Sequence, residues 1–294
     1  MKLEIKNITK KFDEIKALND VSLTLNSGVY GLLGANGSGK TTLFRLICGV
    51  IKSDGGEILY NGKDVTADSE AFRSILGFLP QDFSYYPDFT GITFMLYISA
   101  LKGLRGKLAK RRCLELLELV GLSDQKNKKI KRYSGGMKQR LGIAQALIND
   151  PEILILDEPT VGLDPKERVR FRNLISSLSE NKIIILSTHI VSDVEYISNE
   201  VLVLNKGVIQ DRGIVTQLMA NIENSVWAVK TSLDEINSYY QKYLVSNQKY
   251  VDDSVLLRII SAVKPNDNAF HVKANLEDLY LYYFRTDDQT NADF

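Results

Sequence analysis

The chain contains a complete G-x-x-x-x-G-K-[ST] motif, GANGSGKT, at residues 34–41. The motif follows a short apolar run, residues 29–33, that has the length and composition of a buried strand. Glycines in such a turn let backbone N–H groups point at a polyphosphate, and the positive end of the next helix dipole faces the same anion. The context therefore predicts a strand, a phosphate loop and a helix. The helix is indicated by apolar residues spaced along one face, Leu43, Leu46, Ile47 and Val50.

Two side chains of the motif have specific expected roles. Lys40 is expected to reach the β- and γ-phosphates of a nucleotide. Thr41 is expected to offer its hydroxyl to Mg²⁺, a cation that prefers oxygen ligands and shares its coordination with phosphates. The residues expected to line the bound phosphates are Gly34, Ala35, Asn36, Gly37, Ser38, Gly39, Lys40, Thr41 and Thr42.

A second group of chemically active residues ends another apolar run. Residues 153–156 are apolar throughout and are followed by Asp157 and Glu158. A strand that is apolar on both faces belongs in a parallel sheet covered on both sides, and ligands bind at the carboxyl ends of such strands. Asp157 is predicted to hold Mg²⁺ through water, and Glu158 to polarise the attacking water as general base. Both acids should therefore face the phosphate loop.

A third segment, YSGGMKQR at residues 133–140, opens a helix with a serine at the capping position. Together with the phosphate loop and the two acids, it resembles the signature motif of the ATP-binding-cassette (ABC) ATPases. The resemblance implies that the start of this helix contacts the γ-phosphate of ATP held by a partner subunit. The residues implied in that contact are Ser134, Gly135 and Gly136.

The resemblance covers roughly residues 3 to 215, and the remaining family elements follow in order. Gln81 matches the Q-loop glutamine, which touches Mg²⁺ or its water, and Asp164 lies in a segment that resembles the D-loop, which meets its counterpart across the dimer. His189 resembles the switch histidine that hydrogen-bonds the γ-phosphate, and Phe12 takes the position of the aromatic residue that stacks on adenine. Each alone is equally well explained as a structural residue, so their order along the chain carries the assignment. The implied catalytic residues are Lys40, Gln81, Glu158 and His189, and the implied metal ligands are Thr41, Gln81 and Asp157.

Three positions depart from the family pattern. Tyr133 stands where the family usually has Leu, and Met137 where many members have Gln, but the Ser-Gly-Gly segment between them is intact. Thr93 stands where exporters commonly carry Glu, so the resemblance does not assign one polar contact to a membrane permease. The aromatic loop at residues 82–91 lies in the neighbourhood that receives the short cytoplasmic helices of the membrane subunit in this family, and burial within the subdomain is the equally weighted alternative.

Composition excludes several classes of protein. The 294 residues, 44% of them hydrophobic, are enough for a sizeable core and about two domains. No stretch approaches the ~18–20 uninterrupted apolar residues of a bilayer-spanning helix, and residues 1–6 lack a signal-peptide core. The formal net charge of +1 predicts no nucleic-acid partner. The basic run at residues 126–132 is predicted to be a solvated loop, with a contact to membrane headgroups or a partner as the less favoured alternative. Cys48 and Cys113 are predicted to be reduced cytosolic thiols.

The order of elements predicts an α/β fold, which the resemblance specifies as a P-loop NTPase of the ABC nucleotide-binding type. Residues 1–215 form the predicted nucleotide-binding domain, with a helical subdomain at about residues 82–150. Residues 216–294 carry no recognisable chemistry and look like the small α+β accessory domain of ATPase subunits in bacterial two-component exporters. The polar residues 286–293 are predicted to fray.

The resemblance implies an ATP-hydrolysing subunit that uses ATP and Mg²⁺ and dimerises with a second copy or a paralogue. It would drive separate integral membrane permease subunits, so its expected location is the cytoplasm, peripheral on the inner face of the membrane. Its cargo would be an exported peptide, antibiotic or lipid-like compound. The alternative is a soluble ABC ATPase that acts on DNA or ribosomes. The chain lacks the long coiled coil and the second cassette of such proteins, and Asn127-Lys128-Lys129 is followed by Ile130, so the N-K-x-D motif of a GTPase is missing.

Overall fold

Three β-sheets organise the chain in the computed structural model, which describes residues 1–188 and 190–284. The predicted switch residue His189 and the tail 286–293 lie outside the described residues. The strands are β1 Lys2–Phe12, β2 Ile15–Asn26, β3 Gly28–Leu33, β4 Gly55–Tyr60, β5 Lys63–Asp64, β6 Leu76–Leu79, β7 Ile153–Asp157, β8 Ile183–Ser187, β9 Glu200–Asn205, β10 Val208–Gly213, β11 Val226–Thr231, β12 Leu244–Val251, β13 Ser254–Ile260 and β14 Phe270–His271. The α-helices are α1 Lys40–Ile47, α2 Ser69–Ser74, α3 Gly91–Leu101, α4 Gly106–Leu119, α5 Gly135–Ala146, α6 Pro165–Leu178, α7 Val191–Ile197, α8 Val215–Ala220, α9 Ile236–Lys242 and α10 Leu276–Phe284.

The central sheet has the strand order β10-β9-β3-β8-β7-β6. Its strands β9, β3, β8, β7 and β6 are parallel, and β10 returns antiparallel to β9. Alternate residues of β7 point into two different hydrophobic clusters, Ile153 and Ile155 into one and Leu154 and Leu156 into the other. Both faces of the sheet are therefore covered, as the apolar runs predict, and the α/β prediction is confirmed.

One face of the central sheet is covered by α1 and by a second, antiparallel sheet of order β2-β1-β4-β5. Leu3 and Ile5 of β1 share a cluster with Phe44 of α1 and with Ile155 of the central sheet. The expectation that Val50 continues the buried face of α1 is wrong. The helix ends at Ile47, the chain turns away through a left-handed Gly49, and Val50 is exposed.

The other face carries α3, α4, α5, α6 and α7. Their buried side chains include Phe94 of α3, Leu116 of α4, Leu141 of α5 and Phe171 of α6, which join one cluster with alternate residues of β7. The helices α3 to α5 all fall within the helix-rich segment predicted at about residues 82–150. Among residues 1–188 and 190–284, no helix is both long and apolar enough to span a bilayer.

The last part of the chain forms a third sheet of order β12-β13-β11-β14, with a hydrophobic cluster around Trp227. Helix α10 connects this sheet to the central one. Its Asp278 is fully buried and accepts hydrogen bonds from Arg258 of β13, at 2.6 Å from Nη2, while Leu279 joins the large cluster of the cassette. The boundary near residue 215 stays a prediction.

Candidate nucleotide site

The phosphate-binding motif lies between the end of β3 and the start of α1, as predicted. Gly39 precedes the helix with a φ of 110°, in the left-handed region, and a Cβ there would lie 2.6 Å from the carbonyl oxygen of Ala17. Only glycine fits this position without strain. Ser38 is buried, and its Oγ has no hydrogen-bond partner among the described residues. An orphaned buried hydroxyl inside a glycine-rich loop fits a site that an anion completes.

Lys40 is the buried cation of this loop. Its Nζ donates hydrogen bonds to the carbonyl oxygens of Gly34, at 2.7 Å, and Ala35, at 3.1 Å. Burial lowers the pKa of Lys40, while the carboxylates of Glu158 and Asp157 act in the opposite direction. The lysine thus lies inside the loop, between the backbone and the two acids at the end of β7.

Asp157 and Thr41 form a direct contact across the site. The Thr41 hydroxyl donates to Oδ2 of Asp157 at 2.9 Å, and the Ser187 hydroxyl donates to Oδ1 at 2.5 Å. Asp157 is almost fully buried, so the two hydroxyls take the place of its hydration. Two of the three predicted metal ligands are therefore adjacent, and both offer oxygen atoms.

Glu158 has an unusual backbone for a residue that is not glycine. Its φ is 53°, in the left-handed region, which carries strain that the surroundings must offset. Its N–H donates to the carbonyl oxygen of Ser187, at 3.2 Å, and to Oγ of Ser187, at 3.0 Å. Its carbonyl oxygen accepts from Nε2 of Gln139 at 3.4 Å. The turn after β7 is thus held from β8 and from α5.

One cavity of about 340 Å³ collects most of the predicted residues, a size within the range of small-ligand sites. It opens between the phosphate loop, the end of β7 and the segment after β6. Gln81, which follows β6, is exposed and also lines the cavity. The lining residues are Ala17, Asn36, Gly37, Ser38, Gly39, Lys40, Thr41, Thr42, Gln81, Asp157 and Glu158.

Three other predicted residues, Ser134, Asp164 and Phe12, lie at the ends of other elements. Ser134 caps α5, with its Oγ accepting from the N–H of Met137 at 3.2 Å, and Asp164 caps α6, accepting from the N–H of Glu167 at 2.8 Å. Both caps are exposed. Phe12 is exposed at the end of β1 and lies under the ammonium group of Lys10, 5.5 Å from the ring centre. Within one chain, these residues do not line the cavity that holds Lys40.

Ser187 and Gln139 are contacts of the site that the sequence reasoning missed. The register of the parallel strands places Ser187 of β8 directly beside Asp157 of β7. The available signal was the strand-ending Ser187-Thr188 after an apolar run, which resembles the strand-ending acids in form. Gln139 had no such signal, because its contact with Glu158 depends on where α5 packs.

A partly buried ion pair connects α5 with α6. Nη2 of Arg140 lies 2.8 Å from Oε1 of Glu167, and the two side chains are only 15% and 17% exposed. Nη1 of Arg140 also donates to the carbonyl oxygens of Val120 and Gly121, both at 3.0 Å. A Cβ at Gly136 would collide with Oε2 of Glu167. A side chain at the second glycine of the signature would therefore displace the Glu167 carboxylate from this position.

Replacing Glu167 with Gln is expected to lower the free energy of unfolding by about 2 kcal/mol, because it leaves the partly buried Arg140 without its counter-charge. Urea denaturation followed by circular dichroism measures this loss. The matched control is Glu115→Gln, which removes an exposed pair with Arg111 whose side chains are 53% and 73% exposed. The control substitution should lower the free energy of unfolding by less than about 0.5 kcal/mol. Equal effects of the two changes would contradict the proposed importance of the partly buried pair.

Comparison with known proteins assigns the family. The family model described as ABC transporter matches residues 18–161. The Nod factor export ATP-binding protein I of Burkholderia lata is 32% identical over 290 residues, which cover 95% of each chain. The chain belongs to the ABC transporter ATP-binding proteins. Another member, the linearmycin resistance ATP-binding protein LnrL of Bacillus subtilis, is 33% identical over 222 residues, 75% of this chain and 71% of that one.

Solved structures of ABC cassettes have the same fold. The dimeric structure of a bacterial ABC transporter cassette matches with a TM-score of 0.67 and 27% identity, over 72% of this chain and 98% of that one. A post-hydrolysis state of that cassette, dimeric and bound to ADP and Pi, matches with a TM-score of 0.66 and 28% identity. The predicted ABC cassette fold is thereby confirmed. This ABC protein is an ATPase and the ATP-binding subunit of a transporter.

Proposed function

We propose that this ABC ATPase works as a dimer beneath separate membrane permease subunits and drives export. The observation that carries the proposal is the division of the predicted residues into two places. Lys40, Asp157 and Glu158 share one cavity, whereas Ser134 and Asp164 are exposed elsewhere on the chain. A second copy would supply the missing half of each site. One relative is named for Nod factor export and another for linearmycin resistance, and the first name supports the outward direction of transport. The proposed cargo classes are a peptide, an antibiotic and a lipid-like compound.

The oxygen donors of the cavity fit Mg²⁺ bound together with ATP. Thr41 and Asp157 already place a hydroxyl and a carboxylate within 2.9 Å of each other, and Gln81 lines the same cavity. When bound, Mg²⁺ would neutralise part of the phosphate charge. Asp157 would keep one oxygen on Ser187, which fixes the carboxylate while the other oxygen faces the metal or its water.

The residues around the γ-phosphate would divide the chemistry among them. Glu158 accepts a proton from the attacking water, and its backbone contacts with Ser187 and Gln139 set the direction of its side chain. Lys40 exchanges its contacts with the loop carbonyls for the β- and γ-phosphates. His189 would hydrogen-bond the γ-phosphate, and Phe12 would stack on adenine from its exposed position at the end of β1.

An ATPase that acts on DNA or ribosomes is the less favoured function. The longest helices between the phosphate loop and the signature are α3, of 11 residues, and α4, of 14 residues, and both pack on the cassette core. Neither is the long coiled coil of DNA-repair ABC proteins. The formal net charge of +1 also provides no general attraction to nucleic acid.

An exposed aromatic group offers a specific test of the permease contact. The ring of Tyr86 lies 4.8 Å from that of Phe89 and 5.3 Å from that of Tyr97, on the segment that runs from the Q-loop into α3. Tyr86 and Tyr97 are exposed, and aromatic clusters of this kind are common at the centres of protein interfaces.

We expect the tagged chain to co-purify from detergent-solubilised membranes of its source cell with a protein that has several membrane spans. Tyr97→Ser should reduce that co-purification about tenfold, since interface tyrosines often contribute more than about 1.4 kcal/mol. Tyr250→Ser is the control, because Tyr250 is also exposed, at 65% against 38% for Tyr97, but lies on β12 of the C-terminal sheet. Recovery of ribosomes or DNA in place of a membrane protein would overturn the transporter proposal.

A further inference from the structure

The turn between α3 and α4, residues 102–105, has an unusual charge distribution. Residues 89–114 contain no Asp or Glu and six Lys or Arg, although the whole chain is nearly balanced with 37 basic and 36 acidic residues. The basic residues are Lys102, Arg105, Lys107, Lys110, Arg111 and Arg112.

Two of these six cations serve the fold. Lys102 donates from Nζ to Oδ1 of Asn149 at 2.6 Å, and Arg112 donates from Nη2 to the carbonyl oxygen of Leu147 at 3.0 Å. Both contacts fasten the hairpin of α3 and α4 to the end of α5. The other four are exposed, and Arg111 lies 3.5 Å from Glu115 in an exposed pair. Arg105, Lys107 and Lys110 therefore dominate the charge of the hairpin end.

Two leucines flank the same turn and point outward. Leu101, the last residue of α3, is 68% exposed, and Leu108, in the first turn of α4, is 55% exposed. The turn itself is well held, because the N–H of Leu104 donates to the carbonyl oxygen of Ser99 at 2.9 Å and Leu104 packs against the large cluster. Leu104 therefore packs against the core, whereas Leu101 and Leu108 are exposed to solvent beside basic side chains.

We propose that this hairpin tip, formed by Leu101, Arg105, Lys107, Leu108 and Lys110, binds the anionic headgroup surface of a lipid bilayer. Charge complementarity carries the choice of partner, since exposed leucines surrounded by cations match the boundary between anionic headgroups and acyl chains. The leucines enter that boundary, and the longer basic side chains stay at the level of the headgroup phosphates. A chain with a net charge of +1 has no overall field that would produce this attraction, so the effect is local to the tip.

The proposal is independent of ATP hydrolysis and of any permease, and it can be tested on the isolated full-length chain. Co-sedimentation is measured with vesicles that contain phosphatidylglycerol and with vesicles of phosphatidylcholine alone. We expect binding to the first and little to the second, and we expect added salt to weaken it. Absence of binding to phosphatidylglycerol vesicles at low salt, or equal binding to both kinds, overturns the proposal.

Two variants separate the electrostatic contribution to vesicle binding from the apolar contribution. The triple variant Arg105→Gln, Lys107→Gln and Lys110→Gln should lower the vesicle partition coefficient about a hundredfold, at about fivefold per cation near an anionic surface. The double variant Leu101→Ser and Leu108→Ser should lower it about tenfold, since each leucine loses part of its transfer from water. All five side chains are exposed, so thermal unfolding and basal ATP hydrolysis should stay as in the parent.

Matched controls remove the same charge and the same exposed side chain elsewhere. Lys126→Gln, Lys128→Gln and Arg132→Gln together change the net charge equally in the other basic run, and Leu233→Ser removes a leucine that is also 55% exposed but precedes Asp234 and Glu235. Neither control should alter vesicle binding. An equal loss in the control triple would assign the effect to net charge and overturn the proposal. A tip variant that binds vesicles normally but loses a membrane protein partner would assign the surface to a protein and overturn it as well.

Discussion

Replacing Glu158 with Gln is expected to lower the rate of ATP hydrolysis by about 10²- to 10⁴-fold, the usual contribution of a positioned general base. Glutamine has the shape of glutamate but cannot accept the proton of the attacking water. Binding of ATP should persist, because Lys40, Thr41 and the loop amides are unchanged. The variant should therefore accumulate as an ATP-bound dimer, which gel filtration in the presence of ATP and Mg²⁺ detects.

The backbone of Glu158 makes this prediction specific to the carboxylate. Glu158 has a left-handed φ of 53°, and Ser187 and Gln139 hydrogen-bond to its main-chain N–H and carbonyl oxygen. Because these contacts do not involve the Glu158 side chain, they survive the substitution. Loss of activity then reports the missing base and not a rearranged turn. Glu180→Gln is the control, because Glu180 is exposed and lies after α6. This variant should hydrolyse ATP at the parental rate. Parental hydrolysis by Glu158→Gln would show that another group is the base.

Much of the fold follows from local sequence signals. The fully apolar runs that end in Asp157 and Ser187 become neighbouring parallel strands, because a strand without a polar face must be covered on both sides. The glycine-rich loop is also indicated locally, since glycine permits the left-handed backbone that Gly39 adopts. Val50 shows the limit of periodicity, because the apolar pattern continues after Gly49 has already ended the helix.

The parts that could not be predicted depend on packing between distant segments. Ser187 is 30 residues from Asp157, and only the strand register places its hydroxyl on that carboxylate. The ion pair between Arg140 and Glu167 depends on how α5 packs against α6, which no local sequence pattern predicts. The same holds for α10, whose Asp278 binds Arg258 of the C-terminal sheet while Leu279 enters the cassette core.

Two further variants, Lys40→Ala and Ser134→Arg, should each abolish hydrolysis for different reasons. Lys40→Ala removes the buried cation of the loop and should weaken ATP binding by about 10- to 150-fold, from charge-assisted contacts of about 1.5–3 kcal/mol. Ser134→Arg places a large cation at the exposed cap of α5, away from the cavity of its own chain. It should leave ATP binding by the monomer unchanged while blocking the approach of a second copy.

A mixing experiment with these two variants decides whether the chains share their sites. In a mixed dimer, one composite site combines the phosphate loop of the Ser134→Arg chain with the signature of the Lys40→Ala chain, so that site is intact. The other composite site carries both defects. Random pairing of equal amounts should restore about a quarter of the parental activity, because half of the dimers are mixed and each has one good site of two. Activity should also depend on protein concentration.

The amount of ATP hydrolysis that mixing restores distinguishes sites shared between chains from sites formed within one chain. If each chain used its own signature, both partners in every mixed dimer would stay defective and mixing would restore nothing. The separation of Ser134 from Lys40 within one chain argues for recovery, since no described contact brings the exposed cap of α5 to the phosphate loop. Dimer formation driven by bound nucleotide should disappear with ADP, because the γ-phosphate is the group that the partner's signature would contact. Full hydrolysis by a preparation that ultracentrifugation shows to be monomeric would exclude sharing between chains.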